Sequence, residues 1–174
     1  MGALAAVVPT RRVLGMRVDA TSYQHATAEI LRWGSLGESC YVCIATVNNV
    51  IEAYDDPAYR AVMDGAALVT TDGVPLVWAL RLLGVDGATR VYGPDLTPIL
   101  CERAAALGVI GLGAPKQERW MADRKGAIEA VMIGVGAAFD FLAGRKRQAP
   151  AILQRLQLTG WGRVGVPARR FGMS

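Results

Sequence analysis

The chain has 174 residues, 52% of them hydrophobic, with a formal net charge of +4. That is enough for one domain with a real core, which excludes a disordered chain. No run approaches the roughly 18 uncharged apolar residues that a bilayer span needs; the longest, residues 131–144, is too short and contains Asp140. From the start of the chain, residues 1–9 are apolar but lack the basic leading segment of a signal peptide, so a cytoplasmic protein is expected. Residues 13–18 predict a short first strand. Residues 22–33 predict a helix with Ala26, Ile30 and Trp33 on one face. Residues 41–47 predict a buried strand and 49–64 a helix divided at Pro57. A strand over 67–71, a helix over 75–83 ended by Gly84, and a helix over 96–107 ended by Gly108 follow. Residues 109–113 predict a strand, 115–124 a helix with proline at its first position, and 129–135 the last strand. Residues 150–158 predict a basic amphipathic helix. This alternation predicts an α/β fold, a mainly parallel sheet flanked by helices over residues 1–158, with a basic appendage over 159–174.

Charge is unevenly spread. Residues 1–115 hold 8 basic and 11 acidic side chains, whereas residues 116–174 hold 11 basic and 4 acidic. From Arg145 onward there are 7 basic residues and no acidic one. Arg145, Lys146, Arg147, Arg163, Arg169 and Arg170 therefore suit an anionic partner such as a membrane surface or a lipid diphosphate. Nucleic acid is not expected, because no aromatic-interleaved basic motif accompanies the charge. Cys40 and Cys43 form C-x-x-C, but on a strand residues three apart point to opposite faces. With no second cysteine pair and one histidine, His25, no metal site is expected. The apolar composition leaves room for a homo-oligomer.

Three motifs follow directly on predicted strands: Thr46-Val47-Asn48-Asn49, Thr70-Thr71-Asp72-Gly73, and Gly111-Leu112-Gly113-Ala114-Pro115-Lys116-Gln117-Glu118. Ligands of parallel α/β sheets bind outside the carboxyl ends of the strands, so these motifs should converge on one crevice. A strand that ends in glycines and opens a helix offers backbone N–H groups to a phosphate, which makes Gly111, Gly113 and Lys116 candidates for an anion-binding turn. Asp72, at the mouth of the sheet, is placed either to take a proton from a hydroxyl nucleophile or to cap the helix after it. Arg90, in the polar loop Arg90-Val91-Tyr92-Gly93-Pro94-Asp95, is either a clamp for a leaving diphosphate or half of an ion pair. Thr46, Asn48 and Gln117 offer neutral hydrogen bonds to a sugar or nucleotide, or serve turn chemistry. Asp55-Asp56-Pro57 reads as a solvated turn. Gly111-x-Gly113 and Gly134-x-Gly136 fall short of the dinucleotide fingerprint.

Six motifs stand in one order along the chain: Thr46-x-Asn48, Thr71-Asp72-Gly73, Arg90-Val91-x-Gly93-x-Asp95-Leu96, Gly111-x-Gly113-x-Pro115-Lys116-Gln117-Glu118, Gly134-Val135-Gly136-Ala137-Ala138-Phe139-Asp140-Phe141-x-x-Gly144, and Arg147-x-Ala149-Pro150. Together they resemble the WecG/TagA/CpsF glycosyltransferases, glycosyltransferase family 26, over most of residues 13–158. The resemblance implies a Rossmann-like enzyme that needs no metal or other cofactor. It implies inverting transfer of a sugar, of N-acetylmannosamine type or another hexose, from a UDP-sugar. The implied acceptor is a sugar on a polyprenyl diphosphate, and the implied setting is the inner face of the cell membrane in cell-surface polysaccharide synthesis. By matched position, Asp72 is the implied general base, and Thr46, Asn48, Arg90 and Gln117 the lining of the sugar and diphosphate pocket. Trp161, Arg163, Pro167, Arg169 and Arg170 resemble the family's basic appendage, which reaches the membrane. Family members carry a further segment between the positions of Gly108 and Val109, so the resemblance also implies a shortened sheet. Two functional expectations stand side by side: an active transferase, and a catalytically impaired remnant that still binds a membrane or a partner.

Overall fold

A computed structural model describes residues 8–103 and 116–135. In chain order these form β1 (Thr10–Val13), β2 (Met16–Asp19), α1 (Tyr23–Ser35), β3 (Cys40–Ala45), α2 (Val47–Asp55), α3 (Pro57–Asp64), β4 (Leu68–Thr71), α4 (Val74–Leu82), α5 (Gly93–Arg103), α6 (Lys116–Arg124) and β5 (Val131–Gly134). The main sheet has the order β4-β3-β5 with every pairing parallel. This is the parallel α/β arrangement that the alternating sequence pattern predicts, and it is Rossmann-like, as the family resemblance implies.

The central strand explains why. All six residues of β3 are buried, because helices cover both faces of a parallel sheet. Tyr41, Cys43 and Ala45 join one core with Met16 and Val18 of β2, Tyr59 and Met63 of α3, Leu80 of α4 and Met121 of α6. Cys40, Val42 and Ile44 join the other with Ala26 and Ile30 of α1 and Leu96 and Leu100 of α5. Each buried Leu or Ile contributes roughly 1.5–3 kcal/mol, so the two cores hold the layers on either side of β3. Cys40 and Cys43 lie in different cores and cannot meet. Burial pushes the Cys40 thiol up to about 11 and the Cys43 thiol up further still.

Two elements depart from the sequence reading. Residues 13–18 are not one strand but the end of an antiparallel hairpin, with Val13 opposite Met16. Leu14 and Gly15 turn it, at φ 48° and 90°. A primed turn with two positive φ angles matches strand twist, yet it is usually signalled by Asn-Gly rather than Leu-Gly. The hairpin is held against β4 by Asp19, whose Oδ2 accepts from the Val69 N–H at 2.8 Å. The helix expected from residue 96 already starts at Gly93. The division at Pro57 is as expected: Asp56 caps α3, its Oδ1 accepting from the N–H groups of Ala58 and Tyr59 at 2.8 and 3.2 Å. Those N–H groups, Tyr59's foremost, hold the Asp56 carboxyl below the usual range.

Candidate active site at the carboxyl ends of the sheet

Three neighbouring strands end at one edge of the sheet, and each delivers a motif there. The Asp72 N–H donates to the Ala45 carbonyl at 2.8 Å, which sets the residue after β4 beside Thr46, the residue after β3. On the other side of β3, Gly134 ends β5 in register with Cys43. The ends of β3, β4 and β5 therefore stand together, as the parallel topology requires, while residues 111–115 of the third predicted motif lie outside the described residues.

Asp72 does not cap the following helix, since the N-cap of α4 is Gly73. Its carboxylate faces Arg90 instead, with Nη2 and Oδ1 3.2 Å apart and the two side chains 17% and 21% exposed. The Arg90 Nε–H also donates to the Asp72 carbonyl. The guanidinium lies over the Tyr92 ring, 4.1 Å from its centre. Arg90 is thus held from two directions while part of it still faces solvent. The loop that carries it is stitched down. Thr71 Oγ1 donates to the Thr89 carbonyl at 2.7 Å, Thr89 Oγ1 to the Thr21 carbonyl at 3.0 Å, and the Val91 N–H to the Thr71 carbonyl at 2.7 Å. The Tyr23 hydroxyl accepts from the Tyr92 N–H at 2.9 Å and donates to Asp95 Oδ2 at 3.1 Å. Burial pushes that phenol up to about 12, so it stays a neutral donor. Gly93 completes the loop because a Cβ there would stand 3.1 Å from the Val135 carbonyl oxygen.

A second polar cluster lies across β3. The Thr46 N–H and hydroxyl both donate to Asn49 Oδ1, at 2.8 and 2.9 Å. Asn49 Nδ2 in turn donates to the Tyr59 hydroxyl at 2.7 Å. On α6, Gln117 is buried and its Nε2 donates to Glu118 Oε1 at 2.7 Å. Glu118 is 1% exposed, and its Oε2 finds no hydrogen-bond partner among the described residues. Burial is the main reason that this carboxyl is raised above the usual range, with the negative charge of Glu52 adding to it. Gln117 lies over the end of β5, so close that a Cβ at Gly134 would be 3.0 Å from Gln117 Nε2.

The sequence model of the glycosyl transferase WecG/TagA/CpsF family matches residues 11–109 and 104–172. The chain belongs to this family. N-acetylglucosaminyldiphosphoundecaprenol N-acetyl-beta-D-mannosaminyltransferases from Staphylococcus aureus strains NCTC 8325 / PS 47, COL and MSSA476 are each 38% identical over 64 residues. The matched stretch covers 32% of this chain and 25% of each relative. The family match comes in two pieces that overlap at residues 104–109.

Of the residues singled out from this family's motifs, Thr46, Asp72, Arg90 and Gln117 gather at the carboxyl edge. Asn48 lies there too, exposed in the first turn of α2. Lys116 opens α6. Gly111, Gly113, Arg145, Lys146, Arg147, Arg163, Arg169 and Arg170 lie outside the described residues, as does the predicted helix 150–158. Sequence reasoning passed over Asn49, Tyr59 and Glu118. The signal for Asn49 was helical phase, since it shares a buried face with Val50 and Ala53. Among the described residues no three His, Cys, Asp or Glu side chains assemble into a metal site, and no helix is long and apolar enough to cross a membrane.

Proposed function

We propose that this protein is a glycosyltransferase that moves a sugar, of N-acetylmannosamine type or another hexose, from a UDP-sugar to a sugar carried on a polyprenyl diphosphate, in cell-envelope polysaccharide synthesis. The observation that carries this reading is the Asp72–Arg90 pair at the carboxyl end of β4, within a family of glycosyltransferases. The relatives' names supply the acceptor class and the mannosaminyl group. Inverting transfer needs a base that takes the proton from the acceptor hydroxyl as its oxygen attacks the anomeric carbon. Asp72 is that base. The sugar–phosphate bond breaks as the new bond forms, and charge accumulates on the departing diphosphate. Arg90, 17% exposed and beside the base, is the cation that meets it. An arriving diphosphate competes with the Asp72 carboxylate for the same guanidinium, so donor binding frees the base for the acceptor. Thr46, Asn48 and Gln117 supply hydroxyl and amide contacts to the sugar and nucleotide, and Lys116 with Gly111 and Gly113 forms the anion-binding turn. No step in this scheme requires a metal. The enzyme works at the inner membrane face, where its lipid-linked acceptor lies, and Arg145, Lys146, Arg147, Arg163, Arg169 and Arg170 attract the anionic surface.

The test is UDP release from UDP-sugars with a lipid-diphosphate acceptor analogue. Asp72→Asn keeps the size and removes the base, and should cut turnover by about 10²–10⁴-fold. Undiminished turnover refutes the assignment. The two-piece family match favours a second reading, a family remnant that binds a membrane or partner without catalysis. Calorimetric titration with UDP separates the two, because clear UDP binding counts against a dead remnant.

A further inference from the structure

Outside the Asp72–Arg90 pair a cleft of about 240 Å³ opens along α4, lined by Val74, Val77, Trp78, Arg81, Thr89 and Arg90. Its composition is unusual for a solvated helix. Trp78 is 61% exposed, and Leu82, one turn further on the same face, is 89% exposed. Exposed apolar side chains in a row mark contact surfaces rather than ordinary helix exteriors. Two guanidiniums border the apolar floor. Arg90 is the one that faces Asp72. Arg81 forms no ion pair among the described residues; its Nη2 is tethered to the Ala88 carbonyl at 3.0 Å. A neutral tether holds the cation in place without consuming its charge. Another exposed apolar row, Val47, Ile51 and Tyr54 on α2, runs beside Glu52 and Asp55, and the cation next to it, Arg119, is already paired with Glu52 and Asp56.

We propose that this cleft is the subsite for the lipid end of the acceptor, its diphosphate held by Arg81 beside the donor-binding Arg90 and the first prenyl units lying on Trp78 and, just beyond the cleft, on Leu82. The inference rests on the functional reading above. Charge complementarity and the apolar floor together specify a diphosphate joined to a hydrocarbon chain, which neither a free phosphate nor an uncharged lipid satisfies. Because Arg90 borders both the cleft and Asp72, an acceptor seated there places its sugar toward the base.

The test is calorimetric titration of the full chain with farnesyl diphosphate, inorganic diphosphate and farnesol. Farnesyl diphosphate should bind, and Trp78→Ala and Arg81→Gln should each weaken it about tenfold. Inorganic diphosphate should bind more weakly and be insensitive to Trp78→Ala. Leu82→Gln, at a more exposed position, provides the same readout if Trp78→Ala does not fold. Unchanged farnesyl diphosphate affinity in all the variants overturns the proposal. So does a change in sedimentation on Trp78→Ala with lipid binding intact, which would make the face a contact between copies. The transferase reading fails separately. Farnesyl diphosphate binding without any sugar transfer sinks that reading and leaves the cleft standing. Transfer with an unaltered KM for the long-chain acceptor in Trp78→Ala does the reverse.

Discussion

Gly134→Ala tests whether the end of β5 and the start of α6 form one ligand-binding unit. An ideal Cβ at residue 134 would stand 2.9 Å from Met121 Cε, 3.0 Å from Gln117 Nε2 and 3.1 Å from Gln117 Cδ. Carbon contacts are comfortable at about 3.5–4.0 Å, so each neighbour must retreat by roughly half an ångström or more. Both are side-chain ends, and Met121 adapts easily. Gln117 does not, because its amide is pinned by the 2.7 Å bond to Glu118. Overpacking of this kind costs about 1–3 kcal/mol. Breaking the Gln117–Glu118 bond would leave a second carboxyl oxygen unpaired inside the core, a further cost of about 1–3 kcal/mol. The lower backbone entropy of alanine in the unfolded chain offsets about 0.4–1 kcal/mol. A net loss of about 1–5.5 kcal/mol is expected by urea denaturation. Gly87→Ala is the control, since a Cβ there meets nothing within 4 Å. A Gly134→Ala protein as stable as Gly87→Ala refutes the packing argument. A destabilised Gly134→Ala with undiminished UDP affinity, measured by calorimetry, refutes Gln117 as the nucleotide contact. Gly134→Ala should also be non-additive with Gln117→Ala, which removes the obstacle.

Two further outcomes follow from the buried polar cluster. The raised pKa of Glu118 makes its contribution fully favourable only below the ordinary carboxyl value of 4.5; above it the unfolded chain ionises first, and stability is lost as pH climbs through the folded value. Denaturation midpoints measured from pH 4 to 8 should therefore fall more steeply for the wild type than for Glu118→Gln, and parallel curves would show that the carboxyl does not titrate in this way. Tyr59→Phe removes the acceptor of the 2.7 Å bond from Asn49 Nδ2 and should destabilise by about 1–3 kcal/mol, whereas Tyr54→Phe, on the exposed face of α2, should change little.

The sequence disclosed which strand ends would meet, but not which side chains would pair there. Residues 41–47 and 67–71 read as strands because continuous apolar runs suit a sheet covered on both faces, and β3 and β4 follow them closely. The hairpin stayed hidden because Leu14 carries a positive φ that its side chain does not advertise. Asn48 and Asn49 are the same residue type side by side, and only the phase of α2 turns one outward and the other onto Tyr59. Glu118 reads as a polar first-turn residue until α6 is laid against β3, when its neighbours become Cys43, Tyr59 and Glu52. Each of these pairings depends on packing between elements distant in sequence, which local propensity does not encode. Gly134 shows the consequence. Within its own motif it is one glycine of a Gly-Val-Gly triplet, with freedom of backbone as its apparent purpose. Yet it is not among the glycines with positive φ, so its backbone conformation is open to other residues. What excludes a side chain there is Gln117, 17 positions earlier, lying across the strand end. The two motifs are therefore a single steric unit, and a change at either position alters the other before it alters any ligand.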